Sequence, residues 1–141
     1  MEIKSVNEDN INDALFFLES LLVIKDINRK VVLNGEYVLE DGEIIGFLSF
    51  EEFDKVGLIR YFVFKKVVSK NIISELFKRI SLKAKDKELK LLITMVVKDE
   101  AISVFKDLGF EVVDRNDVYI DEINILQTRF KDAIILKYNL T

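Results

Sequence analysis

The feature that most constrains the fold is a change in hydrophobic period between residues 64 and 69. Val56–Phe64 has the β-branched and aromatic content of a strand. From Ser69, apolar residues recur every three or four positions, which predicts an amphipathic helix over residues 69–85 with Ser69 as its N-cap. The aliphatic residues 89–97 then predict a buried strand. A strand, a helix and a strand in this order predict two parallel neighbouring strands joined by a right-handed crossover.

The other segments predict further strands and helices around this unit. Asp41-Gly42 separates two extended stretches and predicts a β-hairpin, because a type I′ turn favours this dipeptide. The predicted elements are, in chain order, a strand over residues 2–6, a helix from Ile11 capped by Asn7 or Asn10, strands over 31–40, 43–50 and 56–64, the helix over 69–85, a strand over 89–97, a helix from Asp99 ending at Gly109, and strands over 110–113 and 133–138. Residues 114–130 form a charged connection of ambiguous structure. The 141 residues are expected to form one α/β domain, over residues 1–141.

The composition excludes several kinds of chemistry. The sequence contains no Cys and no His. Disulfides, thiolate or imidazole metal sites, cysteine nucleophiles and Ser-His-Asp triads are therefore excluded, and no metal site is expected. The first ten residues contain no apolar stretch of the length a secretory signal needs, and the longest nearly apolar run, residues 91–97, is too short to span a bilayer. We expect a cytoplasmic protein that does not enter a membrane.

The charged residues are unevenly distributed. The formal net charge is −4, but residues 65–90, the basic segment, contain nine cations and three anions. The basic segment is expected to attract a small anionic ligand such as a phosphorylated molecule, although a solvated, lysine-rich helix face also accounts for it. The acidic remainder of the chain repels a polyanion, so a nucleic acid is not expected as a partner.

Two stretches carry a family resemblance. Residues 104–111, Val-Phe-Lys-Asp-Leu-Gly-Phe-Glu, end a predicted helix with Leu-Gly-Phe-Glu, and residues 63–76 join a strand to the start of a helix. Together with the order of elements along the whole chain, they resemble the GNAT N-acetyltransferase superfamily, whose members transfer an acyl group from acyl-CoA to an amine. The resemblance implies a mixed central sheet of about six or seven strands flanked by helices, with acetyl-CoA as the cofactor.

The cofactor loop departs from the family's pattern at three positions. In the family, the central strand is followed by Gln/Arg-x-x-Gly-x-Gly/Ala, whose backbone N–H groups hold the CoA pyrophosphate at a helix N-terminus. Here Val68, Asn71 and Ile73 stand at the Gln/Arg position and the two Gly positions. The resemblance assigns cofactor binding to Val63, Lys65, Lys66, Val68, Ser69, Lys70, Asn71, Ile72, Ile73 and Ser74. Because side chains replace the glycines, we expect acetyl-CoA to bind weakly or not at all.

The resemblance also locates catalytic positions. The family's general acid, a Tyr on the late helix, corresponds to Phe105, which has no proton to donate and is expected to be inactive in that role. Lys98 replaces the Asn often found near the start of that helix. Glu51 and Glu52 lie near the turn into the central strand and are candidate general bases that act through water; surface acids at a hairpin end are the alternative interpretation. Tyr61 either packs in the core or lies beside the acyl group.

These residues leave three hypotheses for function. The first is a GNAT-type N-acyltransferase that moves an acetyl group from acetyl-CoA to an unidentified amine on a small molecule or a peptide. The second is a GNAT-fold module that has lost catalysis and serves in binding or dimerisation, for example as a homodimer. The third, a nucleic-acid binder that uses the basic segment, is disfavoured by the charge of the remainder.

Overall fold

A mixed sheet organises the fold in a computed structural model, which describes residues 1–21, 27–96, 98–113, 119–120, 123–124 and 134–141. Within these residues the sheet has seven strands in the order β1-β2-β3-β4-β5-β9-β6. The strands are β1 (Glu2–Ser5), β2 (Glu36–Glu40), β3 (Glu43–Phe53), β4 (Val56–Phe64), β5 (Leu91–Val96), β6 (Glu111–Val112) and β9 (Ile134–Asn139), while β7 (Tyr119–Ile120) and β8 (Ile123–Asn124) pair separately. The flanking helices are α1 (Ile11–Leu21), α2 (Arg29–Leu33), α3 (Lys70–Asp86) and α4 (Asp99–Asp107).

The parallel pair at the centre of the sheet confirms that the strands before and after α3 are parallel neighbours. Val56 of β4 lies opposite Leu91 of β5, and the register continues in parallel to Leu58 and Ile93. The neighbouring pairs β1–β2, β2–β3, β5–β9 and β6–β9 are antiparallel. The sheet is therefore mixed, and the predicted α/β class is confirmed.

The predicted hairpin is also confirmed. Asp41 and Gly42 have φ values of +51° and +78° between β2 and β3. A type I′ turn requires positive φ at both central residues, and Gly adopts this conformation without steric cost. Glu40 and Glu43 form the pair that closes the hairpin.

The strand predicted over residues 31–40 is wrong in its first part. Arg29–Leu33 forms the short helix α2, and β2 begins only at Glu36. The Asn28 side chain accepts hydrogen bonds from the backbone N–H groups of Lys30 and Val31, which caps this helix. Other parts of the predictions, including residue 97 and most of residues 114–133, lie outside the described residues.

The first of two compact units comprises Met1–Glu51 and Ile59–Lys83. Its main core joins α1 and α2 to side chains of β2, β3 and β4. The buried members of this core are Val6, Ile11, Ala14, Phe17, Leu18, Val31, Val32, Tyr37, Phe47 and Tyr61. Burial of these apolar side chains, rather than helix propensity, holds a helix as short as α2 in place.

A buried carboxylate connects β2 to α3 within this unit. Glu36 is 1% exposed, and its Oε2 accepts a hydrogen bond from Lys83 Nζ at 2.7 Å. Arg79 Nη1 lies 3.4 Å from Glu36 Oε1, and Lys83 also donates to the Gly35 carbonyl at 3.0 Å. A buried acid is tolerated only when it is paired and hydrogen-bonded in this way.

The second unit comprises Glu52–Leu58 and Ala84–Thr141. Leu58, Ile93 and Ile135 form a buried cluster across β4, β5 and β9. Gly109 follows α4 with a φ of +104°, as predicted for the residue that ends this helix. The organisation of residues 1–141 as one domain stays a prediction.

We expect Glu36→Gln to lower the free energy of unfolding by about 1–3 kcal/mol, because it removes the charge that partners the Lys83 ammonium. The measurement is chemical denaturation followed by circular dichroism. Glu75→Gln is the matched control: Glu75 is exposed and lies 3.8 Å from the same Arg79, so its loss is expected to change stability by less than about 0.5 kcal/mol. Equal losses in the two variants would contradict a special role for the buried acid.

Candidate functional site

The N-terminus of α3 follows β4 and has the polar groups of an anion site. Ser69 Oγ accepts a hydrogen bond from the Ile72 N–H at 3.3 Å, and the Ser69 carbonyl accepts one from the Ile73 N–H at 3.3 Å. The predicted N-cap is therefore confirmed. An α-helix leaves its first N–H groups without carbonyl partners and carries a partial positive charge at this end.

The side chains of the predicted cofactor loop differ in exposure. Exposed members are Ser69, Lys70, Asn71 and Ser74, and partly buried members are Val63, Val68, Ile72 and Ile73. Val63 packs against the core of the first unit. A hydroxyl, an ammonium and backbone N–H groups at a helix start are donors that suit a phosphate. The donor set therefore fits the pyrophosphate of CoA in its chemistry, although Asn71 and Ile73 stand where the family has glycine.

The two lysines before the helix face acids of the β2–β3 hairpin. Lys65 forms an ion pair with Glu43, and Lys66 forms one with Glu40. The Lys65 backbone N–H also donates to the Ile45 carbonyl at 2.7 Å, which fixes the chain beside β3. The cations predicted to attract phosphate are thus paired with carboxylates of the same unit.

The two candidate bases have different surroundings. Glu51 Oε1 accepts a hydrogen bond from Arg60 Nη1 at 2.5 Å, and both side chains are about a quarter exposed. Glu52 is exposed, belongs to the second unit and lies 3.6 Å from Lys87 Nζ. Glu51 is therefore an oriented, partly buried carboxylate, whereas Glu52 forms a surface ion pair.

The sequence predicted the burial of Tyr61 but not its backbone conformation. The residue is 9% exposed, as expected for a core tyrosine, but it lies inside β4 with a φ of +55°. Its phenolic oxygen accepts a hydrogen bond from the Asn28 N–H at 3.1 Å, and the Arg60 guanidinium lies 5.3 Å from its ring centre. A left-handed φ at a non-glycine residue inside a strand is rare and strained, so contacts around Tyr61 must hold it in that conformation.

Phe105 lies in the core of the second unit. It is 4% exposed, and its ring contacts the Phe110 ring edge-on with centres 5.1 Å apart. Phe110 in turn packs on Tyr138 with centres 5.5 Å apart. Phe105 therefore fills an aromatic cluster at the position where the resemblance places a proton donor.

The basic segment is largely neutralised by ion pairs. Five of its cations pair with acids: Lys65, Lys66, Arg79, Lys83 and Lys87. The folded surface of this segment therefore carries less net positive charge than its sequence indicates. Within the described ranges, every helix is too short or too polar to traverse a bilayer.

A family model described as "Acetyltransferase (GNAT) domain" matches residues 17–124. Among solved structures, Rv2747 from Mycobacterium tuberculosis in complex with CoA superposes with a TM-score of 0.72 at 11% identity, covering 100% of both chains. N-acetylglutamate synthase from Neisseria gonorrhoeae, complexed with coenzyme A and L-arginine, gives 0.70 at 16% identity over 98% of this chain and 32% of that one. An N-acetyltransferase from Staphylococcus aureus Mu50 gives 0.66 at 21% identity, covering 99% and 97%.

The structural likeness at these identities establishes the fold. The chain spans about a third of the length of the synthase, and no curated protein matches its sequence. The family match covers residues 17–124, which include α3 and α4. The chain belongs to the GNAT acetyltransferase family.

Proposed function

We propose that the chain is an N-acyltransferase that moves an acetyl group from acetyl-CoA to an amine of a small molecule or a peptide. The observation that carries the proposal is its membership of the GNAT acetyltransferase family. The capped start of α3 directly after β4 supports it, because its donors suit the cofactor's phosphates. The structures of Rv2747 and of the gonococcal synthase, both complexed with CoA, are consistent with this cofactor.

The chain's own residues have two tasks in such a transfer. Bound acetyl-CoA supplies an activated acyl carbon, to which the acceptor nitrogen bonds as the carbon–sulfur bond breaks. Ser69, Lys70 and the first N–H groups of α3 hold the pyrophosphate. Glu51, oriented by Arg60, receives through water the proton that the attacking amine loses. Phe105 has no proton to donate, so water protonates the departing thiolate.

A second candidate is a binding or dimerisation module that has lost catalysis. The composition of the cofactor loop favours it, because Asn71 and Ile73 replace glycines and Lys65 and Lys66 pair with hairpin acids. Titration of the purified protein with acetyl-CoA separates the two candidates without knowledge of the acceptor. Binding together with transfer to any member of an amine panel supports the enzyme, and absence of both supports the module.

We expect the wild-type protein to bind acetyl-CoA weakly, and Asn71→Gly with Ile73→Gly to bind it about tenfold more tightly or better. Removal of two side chains lets backbone N–H groups reach the phosphates, and one recovered charge-assisted hydrogen bond of about 1.4 kcal/mol is tenfold in affinity. Isothermal titration calorimetry measures the difference.

The single variant Asn71→Gly is the control for folding. Asn71 is exposed, so its replacement affects only the helix start, whereas truncation at the partly buried Ile73 costs more stability. Micromolar binding by the wild type would show that the inferred obstruction is wrong. A folded double variant without binding would show that the loop is not a phosphate site.

We expect Phe105→Tyr to raise the rate of any detectable acetyl transfer, because it returns a phenol to the position of the family's acid. A positioned general acid typically contributes about a hundredfold to ten-thousandfold. Initial rates over an amine panel measure the effect as a rise in kcat at unchanged KM for acetyl-CoA. Phe110→Tyr is the matched control, since Phe110 is equally buried beside Phe105. Equal rates for wild type and Phe105→Tyr would contradict the assignment.

A further inference from the structure

A pocket of about 490 Å³ opens in the first unit beside α1. One wall is a stripe of this helix formed by Asp13, Phe16, Phe17 and Ser20. Their spacing of three and four residues places all four on one helix face. The volume lies within the range of sites for small organic ligands.

The opposite wall is formed by the sheet. Tyr37 and Leu39 of β2 lie two residues apart and therefore share one face. Lys4 of β1 is the cross-strand partner of Tyr37, and Ile44 of β3 is that of Leu39. Side chains directly opposite in an antiparallel pair lie on the same face of the sheet. The sheet thus presents a polar end at Lys4 and Tyr37 and an apolar end at Leu39 and Ile44.

The polar end combines a cation, an anion and a phenol. Burial raises the pKa of the Tyr37 phenol and the charge of Asp13 raises that pKa further, while a hydrogen bond with the Asn10 side chain acts in the opposite direction. Tyr37 is therefore a protonated hydrogen-bond donor at neutral pH. Among the described residues, Lys4 and Asp13 take part in no ion pair. Lys65 and Glu43, which also line the pocket, are by contrast paired with each other.

Phe16 adds a largely exposed aromatic ring to the lining of the pocket. Phe16 is 73% exposed on α1, although it lines the pocket with Leu39 and Ile44. A large aromatic side chain in this position adds no core to the first unit, but it gives a ligand's hydrocarbon group a surface to cover.

We propose that this pocket binds a free α-amino acid with a large apolar side chain. Lys4 and the Tyr37 hydroxyl bind the carboxylate, Asp13 binds the ammonium group, and Phe16 with Leu39 and Ile44 contacts the side chain. A zwitterion is favoured because the pocket lining carries both a cation, Lys4, and a carboxylate, Asp13, so that a simple fatty acid or a simple amine meets one charge of its own sign. The inference goes beyond the proposed function and does not depend on acetyl transfer.

The test is calorimetric titration of the full chain, without acetyl-CoA, with L-phenylalanine and two analogues. L-phenylalaninamide lacks the carboxylate, and N-acetyl-L-phenylalanine lacks the ammonium group. We expect saturable binding of L-phenylalanine and at least about tenfold weaker binding of each analogue, since a lost charge-assisted hydrogen bond of about 1.4 kcal/mol is tenfold.

Two variants assign the charges. Lys4→Gln is expected to weaken L-phenylalanine about tenfold and to leave the amide unchanged, whereas Asp13→Asn weakens L-phenylalanine and leaves the N-acetyl analogue unchanged. Both residues are exposed, so the variants are expected to keep the wild-type Tm. Lys30→Gln and Asp9→Asn, exposed residues of the same unit that do not line the pocket, are the matched controls and retain wild-type affinity.

Three results would overturn the proposal. The first is no saturable binding of L-phenylalanine or L-leucine by the folded wild type. The second is binding of the amide as tight as that of the free amino acid, which indicates a peptide N-terminus or a simple amine instead. The third is equal affinity in the pocket variants and their controls. None of these results bears on acetyl-CoA binding, so failure here is distinguishable from failure of the proposed function.

Discussion

The backbone conformation of Tyr61 is the constraint on which the centre of the first unit depends. A left-handed conformation costs an L-residue about 1–2 kcal/mol, and contacts around it must supply that energy. The buried Ser49 hydroxyl donates to the Arg60 carbonyl at 3.2 Å, next to the strained residue. The Asn28 N–H binds the Tyr61 phenol, so the cap of α2 and the distortion of β4 stabilise each other. The same distortion accompanies the Arg60–Glu51 pair that orients the candidate base.

The sequence was sufficient to predict the elements that have a long period or a strong turn signal. The Asp41-Gly42 hairpin, β4, α3 and the parallel partner β5 all follow from such local patterns. The helix α2 does not, because five residues are too few to show a helical period and Val-Val-Leu has the composition of a strand. The positive φ of Tyr61 is equally hidden, since only tertiary contacts make a non-glycine residue adopt it.

In the candidate site too, the features that depend on local spacing could be predicted from the sequence, and those that depend on long-range contacts could not. Ser69 was recognisable as a cap because its bond to Ile72 spans three residues. The pairs of Lys65 with Glu43 and of Lys66 with Glu40 span 22 and 26 residues and depend on the register of the hairpin. The buried acid Glu36 could not be identified either, because its partners lie on α3, more than 40 residues away. Charge read along a segment therefore overstates the charge that the folded surface presents.

The paired lysines and the side chains that replace the family's glycines are expected to weaken cofactor binding by different amounts. The Lys65–Glu43 and Lys66–Glu40 pairs are partly or largely exposed, and exposed pairs are worth about 0–1 kcal/mol each and are screened by salt. A phosphate that displaces one of these carboxylates from its lysine therefore loses at most about fivefold in affinity for each pair broken. In the proposed cofactor site, a side chain at Asn71 or Ile73 is instead expected to keep the phosphate from the N–H groups of α3, and each charge-assisted bond lost in that way is worth about 1.5–3 kcal/mol. The proposal therefore attributes weak cofactor binding to steric access at the helix start rather than to the paired lysines.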